Sequence, residues 1–489
     1  MLWALLPALL LGTATAGSWQ RHLSYGQTFE TMMVMWVTPE KVDKPLCAFG
    51  PTQALGASVV ASSEKIWQIG GISEVSHACE LSPLVPGQRY YYKVGYKSPA
   101  PRWSDTASFV ARPNVTDWTP TIIVFGDLGV ENGVSLARLE AEAASGTNDF
   151  ILHVGDIAYD LRDDGGKVSR AFMENIEPVA SMLPYMTCIG NHEGGTDFDH
   201  VSSLYHYMHR FWMPGHGDLV RGSKGNSVYY SFDAGPAHIV AFSSEVYFWQ
   251  QWDLEQQFAF LERDLAAVDR KRTPWVITMA HRPMYCSNAD NDDCTKEASN
   301  MRTGFPLLGR RLFPLEELFY KYGVDLAFWA HEHSYERLWP VFNNRVMNGT
   351  GGAYVNPAAP VHIVAGAAGC REHHDAFKGQ TANWSAFRSE EYGFGKLQLL
   401  NATHLRWRQF DASGGSLVDE MLLVKTQRPR LTPRQVQHWN PRDLSADEIL
   451  KERDSRETIY AQTQGCTARG AVPQEGCHGK AGWLAEHVV

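Results

Sequence analysis

The chain has 489 residues, 44% hydrophobic and 12% aromatic, which excludes a disordered polymer and exceeds what one core organises, so two or three domains are expected. A formal charge of −10 argues against a nucleic-acid partner held by a basic surface, although nineteen histidines would gain charge at mildly acidic pH.

The first residues read "MLWALLPALLLGTATAG". Leu2 to Leu11 is too short to span a bilayer, and Ala14-Thr15-Ala16 has the small residues of a cleavage site. Residues 1–16 therefore read as a secretory signal removed before Gly17, with a buried first strand as the alternative, since a basic n-region is missing. No later apolar run is long and uninterrupted enough for a membrane helix. Candidate N-glycosylation sites at Asn114, Asn348, Asn383 and Asn401 agree with a secreted or lysosomal destination. Eight cysteines fit an oxidising compartment. Cys286/Cys294 and Cys466/Cys477 are plausible local pairs, and Cys47, Cys79, Cys188 and Cys370 stay unassigned.

From about residue 22 to 113, "TMMVMWVTP", "YYYKVGY" and "TASFVARP" read as short strands between Gly-, Pro- and Ser-rich turns. Residues 17–115 are expected to form a small antiparallel β-sandwich of fibronectin III-like type with a structural role. The texture then changes. Apolar strands are expected at "TIIVFG" (121–126), "DFILHVG" (149–155), "YMTCIG" (185–190), "WVITMA" (275–280), "VDLAFWA" (324–330) and "VHIVAG" (361–366), with helical spacing at "VSLARLEAEAA" (134–144). This alternation predicts an α/β domain over residues 116–412, its sheets sandwiched between helices. Residues 413–489 turn highly charged and are expected to be a tail of unassigned structure.

Five of these strands end in metal-ligand residues. "FGDLG" offers Asp127, "VGDIAYD" Asp156 and Tyr159, "IGNHE" Asn191 and His192, "TMAHRP" His281, and "WAHEH" His331 and His333. A lone Asp after Gly is usually a turn residue, and a lone strand-end His is usually a satisfied core group. Five such ends converging where α/β sheets place their sites outweigh those separate readings. Carboxylate, phenol, amide oxygen and imidazole without thiolates suit a pair of first-row ions rather than structural zinc. A carboxylate can bridge two ions, which together clamp the attacking and leaving oxygens of a phosphoryl transfer. In an extended segment His331 and His333 point to one side, and Glu332 between them points away and reads as structural.

In order, these blocks resemble the purple acid phosphatase signature, GDxG, GDxxY, GNH(D/E), VxxH and GHxH. Within that family the chain is similar to the long animal form through "HRPMYCSNADNDDC", "AHEHSYERLWP" and "WSAFRSEEYGFG". The resemblance covers roughly residues 22–410. It implies that Asp127, Tyr159 and His333 hold Fe(III), that Asn191, His281 and His331 hold a divalent ion (Zn, Fe or Mn), and that Asp156 bridges them. It also implies that His192 contacts the phosphate or leaving oxygen, and that Asn191 serves substrate as well as metal.

The function implied is an acid phosphatase hydrolysing small phosphate monoesters by attack of metal-bound hydroxide. A phosphodiesterase or nucleotide hydrolase on the same scaffold and a weakly catalytic phosphate-binding protein are the alternatives. Ala330 stands for the Gly of GHxH and Thr278 for the Val of VxxH, neither of them a ligand. No histidine lies between His281 and His331, where plant members carry substrate-facing ones, so the leaving-group acid is open. Tyr285 and Asn288 are candidate phosphate contacts, and Glu193, His373, His374 and Asp375 stay unplaced. Natural substrate and oligomeric state are not legible.

Overall fold

A computed structural model describes residues 18–67, 71–98, 100–193, 203–216, 226–248, 254–288, 298–307, 310–377 and 381–426. The segment read as a signal, Cys294, Cys466, Cys477 and the chain after 426 lie outside them. Phe305–Leu307 pairs with Arg310–Leu312 in a two-stranded ribbon, and its residues from Pro306 to Leu312 fall in a second small unit.

The first domain is a sandwich of two antiparallel sheets. One orders His22–Tyr25, Met32–Thr38, Ser73–Leu81 and Ser62–Trp67; the other orders Ala57–Val60, Asp43–Gly50, Arg89–Ser98 and Arg102–Trp103, with Ala107–Val110 also on Arg89–Ser98. Alternate side chains point inward, so Val34, Trp36, Tyr92 and Phe109 meet in one core. The outer face of the first sheet is also covered. Met35 is buried, and its sulfur accepts the Trp212 N–H at 3.4 Å.

The second domain holds two mixed sheets. The first orders Tyr185–Thr187, Phe150–His153, Thr121–Phe125, Gly393–Leu399, His404–Asp411 and Leu417–Val424. The other orders Tyr230–Ala234, Ala237–Ala241, Trp275–Met279, Leu326–Trp329, Val361–Ala365, Tyr335–Leu338 and Ser385–Ser389. Strand alternation divides the labour at Leu326–Trp329. Phe328 faces the other sheet, 5.1 Å from the Trp407 ring, whereas Trp329 faces outward to Phe242, which in turn meets Phe319 of helix Leu315–Tyr322. On the first sheet, His153 turns outward to Phe172 of helix Asp163–Ala180.

The first sheet continues to Val424, past residue 412 where the charged tail was expected to start. Leu417–Val424 pairs with His404–Asp411 and buries Asp419, Met421 and Leu423. Its charged residues mask a half-buried edge strand with a period of two.

Candidate metal centre

Each sheet contains a run of parallel strands, three in the first (Tyr185–Thr187, Phe150–His153, Thr121–Phe125) and four in the other (Ala237–Ala241, Trp275–Met279, Leu326–Trp329, Val361–Ala365), whose carboxyl ends lie together. After Thr121–Phe125, Phe150–His153 and Tyr185–Thr187 the chain turns into Asp127, Asp156, Tyr159 and Asn191; after Trp275–Met279 and Leu326–Trp329 it turns into His281, His331 and His333. The two sets meet where Gly126 N–H donates to Ala365 O at 2.8 Å and His331 N–H donates to Asp127 Oδ2 at 3.0 Å. Asp127, Asp156, Tyr159 and His331 adopt left-handed φ of 61°, 51°, 57° and 71°. These sharp bends cost energy in non-glycine residues and turn the side chains out of the strand direction. The motif glycines supply room. A Cβ on Gly190 would lie 2.2 Å from Asp156 Oδ1, and one on Gly155 (φ +79°) 2.7 Å from His281 Nδ1.

Two groups form. In one, Tyr159 OH donates to Asp127 Oδ1 at 2.8 Å and lies 2.9 Å from His333 Nε2, which is 3.4 Å from Asp127 Oδ1. In the other, His281 Nε2 lies 3.0 Å from Asp156 Oδ2, 3.1 Å from Asn191 Oδ1 and 3.2 Å from His331 Nδ1. Asp156, His281 and His331 could hold one ion between them.

Proton accounting shows why a cation fits. His281 Nδ1 donates to Val154 O at 2.9 Å and His333 Nδ1 to His373 O at 3.0 Å, so in each neutral ring Nε2 carries a lone pair into the site. Asp156 Oδ2 is buried without a hydrogen-bond donor. Lone pairs of His281, Asp156 and Asn191 thus face one another at contact distance. A cation resolves this; otherwise protons must. Burial lowers the affinity of both rings for a proton, yet Asp156 raises His281 to about 9 and Asp127 raises His333 to about 12. Burial first, then Asp127 and Asp156, pushes the Tyr159 phenol well above its usual range. A nearby cation would reverse that direction.

Around these groups lie residues that sequence reasoning left unplaced. Glu193 is fully buried; its Oε2 accepts the N–H groups of Asp156 and Gly190 at 2.9 and 3.0 Å, and its Oε1 that of Ile157 at 2.7 Å. It holds the Asp156 turn rather than lining the site. Asp375 Oδ2 accepts His333 N–H at 2.7 Å, and His374 Nδ1 lies 3.2 Å from His333 O, so the 373–375 segment braces His333. Glu332 is buried beside Cys286 Sγ at 3.5 Å and serves as a structural residue, although His331 at φ 71° breaks the extended geometry expected for the segment. Arg282, which the reading passed over, sets Nη1 3.0 Å from His331 Nε2 and Nε 3.1 Å from Glu245 Oε2. Only its position directly after His281 could have marked it.

The His192 ring packs against Tyr159 with centroids 4.3 Å apart and planes tilted by 42°. Its Nδ1 lies 2.9 Å from Asp160 Oδ1, leaving Nε2 towards Asp156 Oδ2 at 3.8 Å and Glu372 Oε1 at 3.4 Å. Burial lowers its pKa, but Asp156, Asp160 and Glu372 outweigh that and raise it to about 11. Tyr285 corrects an expectation. Its hydroxyl donates to the Glu316 carboxylate and its ring packs on His362 and Trp384, away from the ligands. Asn288 is engaged by Ser334 Oγ and Asp375 O at 3.0 and 3.1 Å.

Paired sheets carrying such ligands at their carboxyl ends define a metallophosphoesterase. The comparisons agree: residues 120–335 match the family Calcineurin-like phosphoesterase, 19–111 Purple acid Phosphatase, N-terminal domain, and 359–420 Iron/zinc purple acid phosphatase-like protein C. The chain belongs to the purple acid phosphatase family and is a hydrolase. It is 43% identical over 431 residues to acid phosphatase type 7 of Homo sapiens, covering 85% of this chain and 92% of that protein, and 43% identical over 420 residues to that of Danio rerio, covering 83% and 91%. A purple acid phosphatase from yellow lupin (Lupinus luteus) seeds shares the fold with a TM-score of 0.69 at 24% identity, covering 83% of this chain and 74% of that one.

Proposed function

We propose that this chain is an acid phosphatase acting on small phosphate monoesters, with Asp127, Tyr159 and His333 holding Fe(III), Asn191, His281 and His331 holding a divalent ion, and Asp156 shared. The observation that carries this reading is the buried, donor-less Asp156 Oδ2 among inward-facing ring and amide lone pairs. When bound, such ions polarise phosphoryl oxygens and lower the pKa of a coordinated water.

The chain's own contribution is placement. Gly190 and Glu193 fix the Asp156 turn, and the carbonyls of Val154 and His373 fix the tautomers of His281 and His333. Asp160 anchors His192 by Nδ1, so Nε2–H is left to contact a phosphate or leaving oxygen. In the charged ring, which Asp160 at Nδ1 favours, both nitrogens carry a hydrogen.

A secretory route is part of the proposal. All four candidate glycosylation asparagines, Asn114, Asn348, Asn383 and Asn401, are exposed, and Cys286 is disulfide-bonded. Among the described residues no helix is long and apolar enough to cross a membrane.

The test compares turnover of an aryl phosphate monoester and the matching diester at acidic pH by metal-loaded protein. Faster monoester hydrolysis supports the reading. A diester preference, or saturable phosphate binding without turnover, overturns it in favour of a diesterase or a binding protein.

A further inference from the structure

The two sheets of the N-terminal sandwich each present one cysteine to their shared core. Cys47, on Asp43–Gly50, lies two residues before Phe49, whose ring is 6.3 Å from Tyr90 of the adjacent strand. Cys79, on Ser73–Leu81 of the opposite sheet, sits across from Val34 and two residues before Leu81. Residues two apart share a strand face, so both thiols lie on the inner faces with these core side chains. Exposure is 0% for Cys47 and 4% for Cys79, and both belong to the apolar cluster that includes Trp36, Tyr92 and Phe109. Cα atoms of the two strands approach within 8 Å, and the Cys79 thiol is near enough to Cys47 to raise its affinity for its proton. A disulfide requires Cα atoms about 4.4–6.8 Å apart. The structure holds the pair as separate thiols.

We propose that Cys47 and Cys79 are joined by a disulfide in the secreted protein, tying the two sheets of the sandwich across its core. The proposal rests on the secretory reading above, because such bonds persist in oxidising compartments. The co-reactant is an external disulfide carrier. One protein thiolate attacks a carrier sulfur, releasing one carrier thiol and leaving a mixed disulfide; the other protein thiolate then displaces the second carrier thiol. One S–S bond breaks and one forms, and two electrons and two protons pass to the carrier. Burial, and then Cys79 itself, raises the Cys47 thiol well above the usual range, so the exchange belongs to folding, before the core closes.

The test is made on the full-length secreted protein, denatured with iodoacetamide present and reductant absent, then digested and weighed. A linked peptide pair carrying Cys47 and Cys79, lighter by two hydrogens than the separate peptides and released by reductant, is expected. Carbamidomethyl label on both cysteines without reductant, or linkage of either to another cysteine, overturns the proposal. In Cys47→Ala, one new thiol should label at Cys79 under the same conditions, and no new label would also overturn it. Cys286 in the same digest separates the two failures. If it stays bonded while Cys47 and Cys79 label, the disulfide alone is wrong; if all three label, the secretory reading fails as well.

Discussion

At the scale of single residues, Asp156 has the most crowded surroundings in the site. Burial would raise its pKa, but His281 and then His192 hold it far below the carboxylate range, so it stays ionised. Asp156→Asn keeps the shape and removes the charge. Both metals should fall below stoichiometric occupancy together in elemental analysis; loss of only one would remove the shared role. Tyr159→Phe deletes the hydroxyl between Asp127 and His333, and the visible charge-transfer band of iron-loaded protein should vanish; an unchanged spectrum would take Tyr159 out of the coordination set. Glu193→Ala strands the buried N–H groups of Asp156, Ile157 and Gly190. Each unpaired buried group costs about 1–3 kcal/mol, so a loss of about 3 kcal/mol or more is expected in denaturant unfolding of the metal-free protein. The candidate ligands were legible because Asp, Tyr, Asn and His after apolar runs stand out in the chain. Arg282 and Asp160 were not, since a charged residue beside a ligand looks like any solvated loop residue until its partner is seen.

Elements add a second kind of constraint at the edge of the second sheet. His238 on Ala237–Ala241 lies between Asp233 of the neighbouring strand Tyr230–Ala234, at 2.7 Å, and Asp264 of helix Leu254–Ala267, at 2.8 Å. Arg272 and Arg112 also act on Asp233. Burial opposes the charged imidazole, but Asp233 and Asp264 raise it to about 9. The folded pKa exceeds the unfolded value of about 6.5, so this contribution is complete below that pH and is lost as pH rises through about 9. Asp233 is depressed, after burial, chiefly by His238, so its share is present above the ordinary carboxylate pKa and fades as pH falls through the depressed one. His238→Gln should therefore cost about 1–3 kcal/mol at pH 5–6 and much less above pH 9, read from urea midpoints across that range. A penalty independent of pH would refute the charged clamp. The sequence reading caught none of this, because an alternating strand with one histidine carries no mark of its neighbours.

Across the whole large unit, the sandwich is bound to the second domain by buried charge. Arg210 of helix Ser203–Arg210 lies 2.7 Å from Glu74 of the sandwich at 1% and 4% side-chain exposure, and Arg21 lies 2.7 Å from Glu177. Tyr92 OH donates to Ser181 O at 2.8 Å. Breaking a buried pair by removing one partner costs about 3–5 kcal/mol, because the remaining charge is left without compensation. Glu74→Ala should lower stability by that amount in denaturant unfolding, with new proteolytic cuts between the domains; a loss under about 1 kcal/mol would show that the junction does not depend on it. The covered outer face of the first sandwich sheet fits the same picture, with Met35 and Ser76 engaged by Trp212 and His209 of the second domain.

The principal parallel strands of the second domain and the candidate ligand residues that follow them are legible in sequence alone. Apolar strands over 121–126, 149–155, 185–190, 275–280 and 324–330 announce buried parallel strands by composition, and the Asp, Tyr, Asn and His residues that follow them are uncommon enough in such places to point to a candidate metal site. What the tertiary structure decided is everything that depends on two distant segments meeting. Examples are the last strand 417–424, hidden by its charged half, the turn of Tyr285 towards Glu316, and the bracing of His333 by residues 373–375. Local sequence determines a strand through the period of its side chains, which is a property of a few consecutive residues. Which lone pair faces which proton depends on the approach of separate strands to within about 3 Å, and that is a property of the packed sheets.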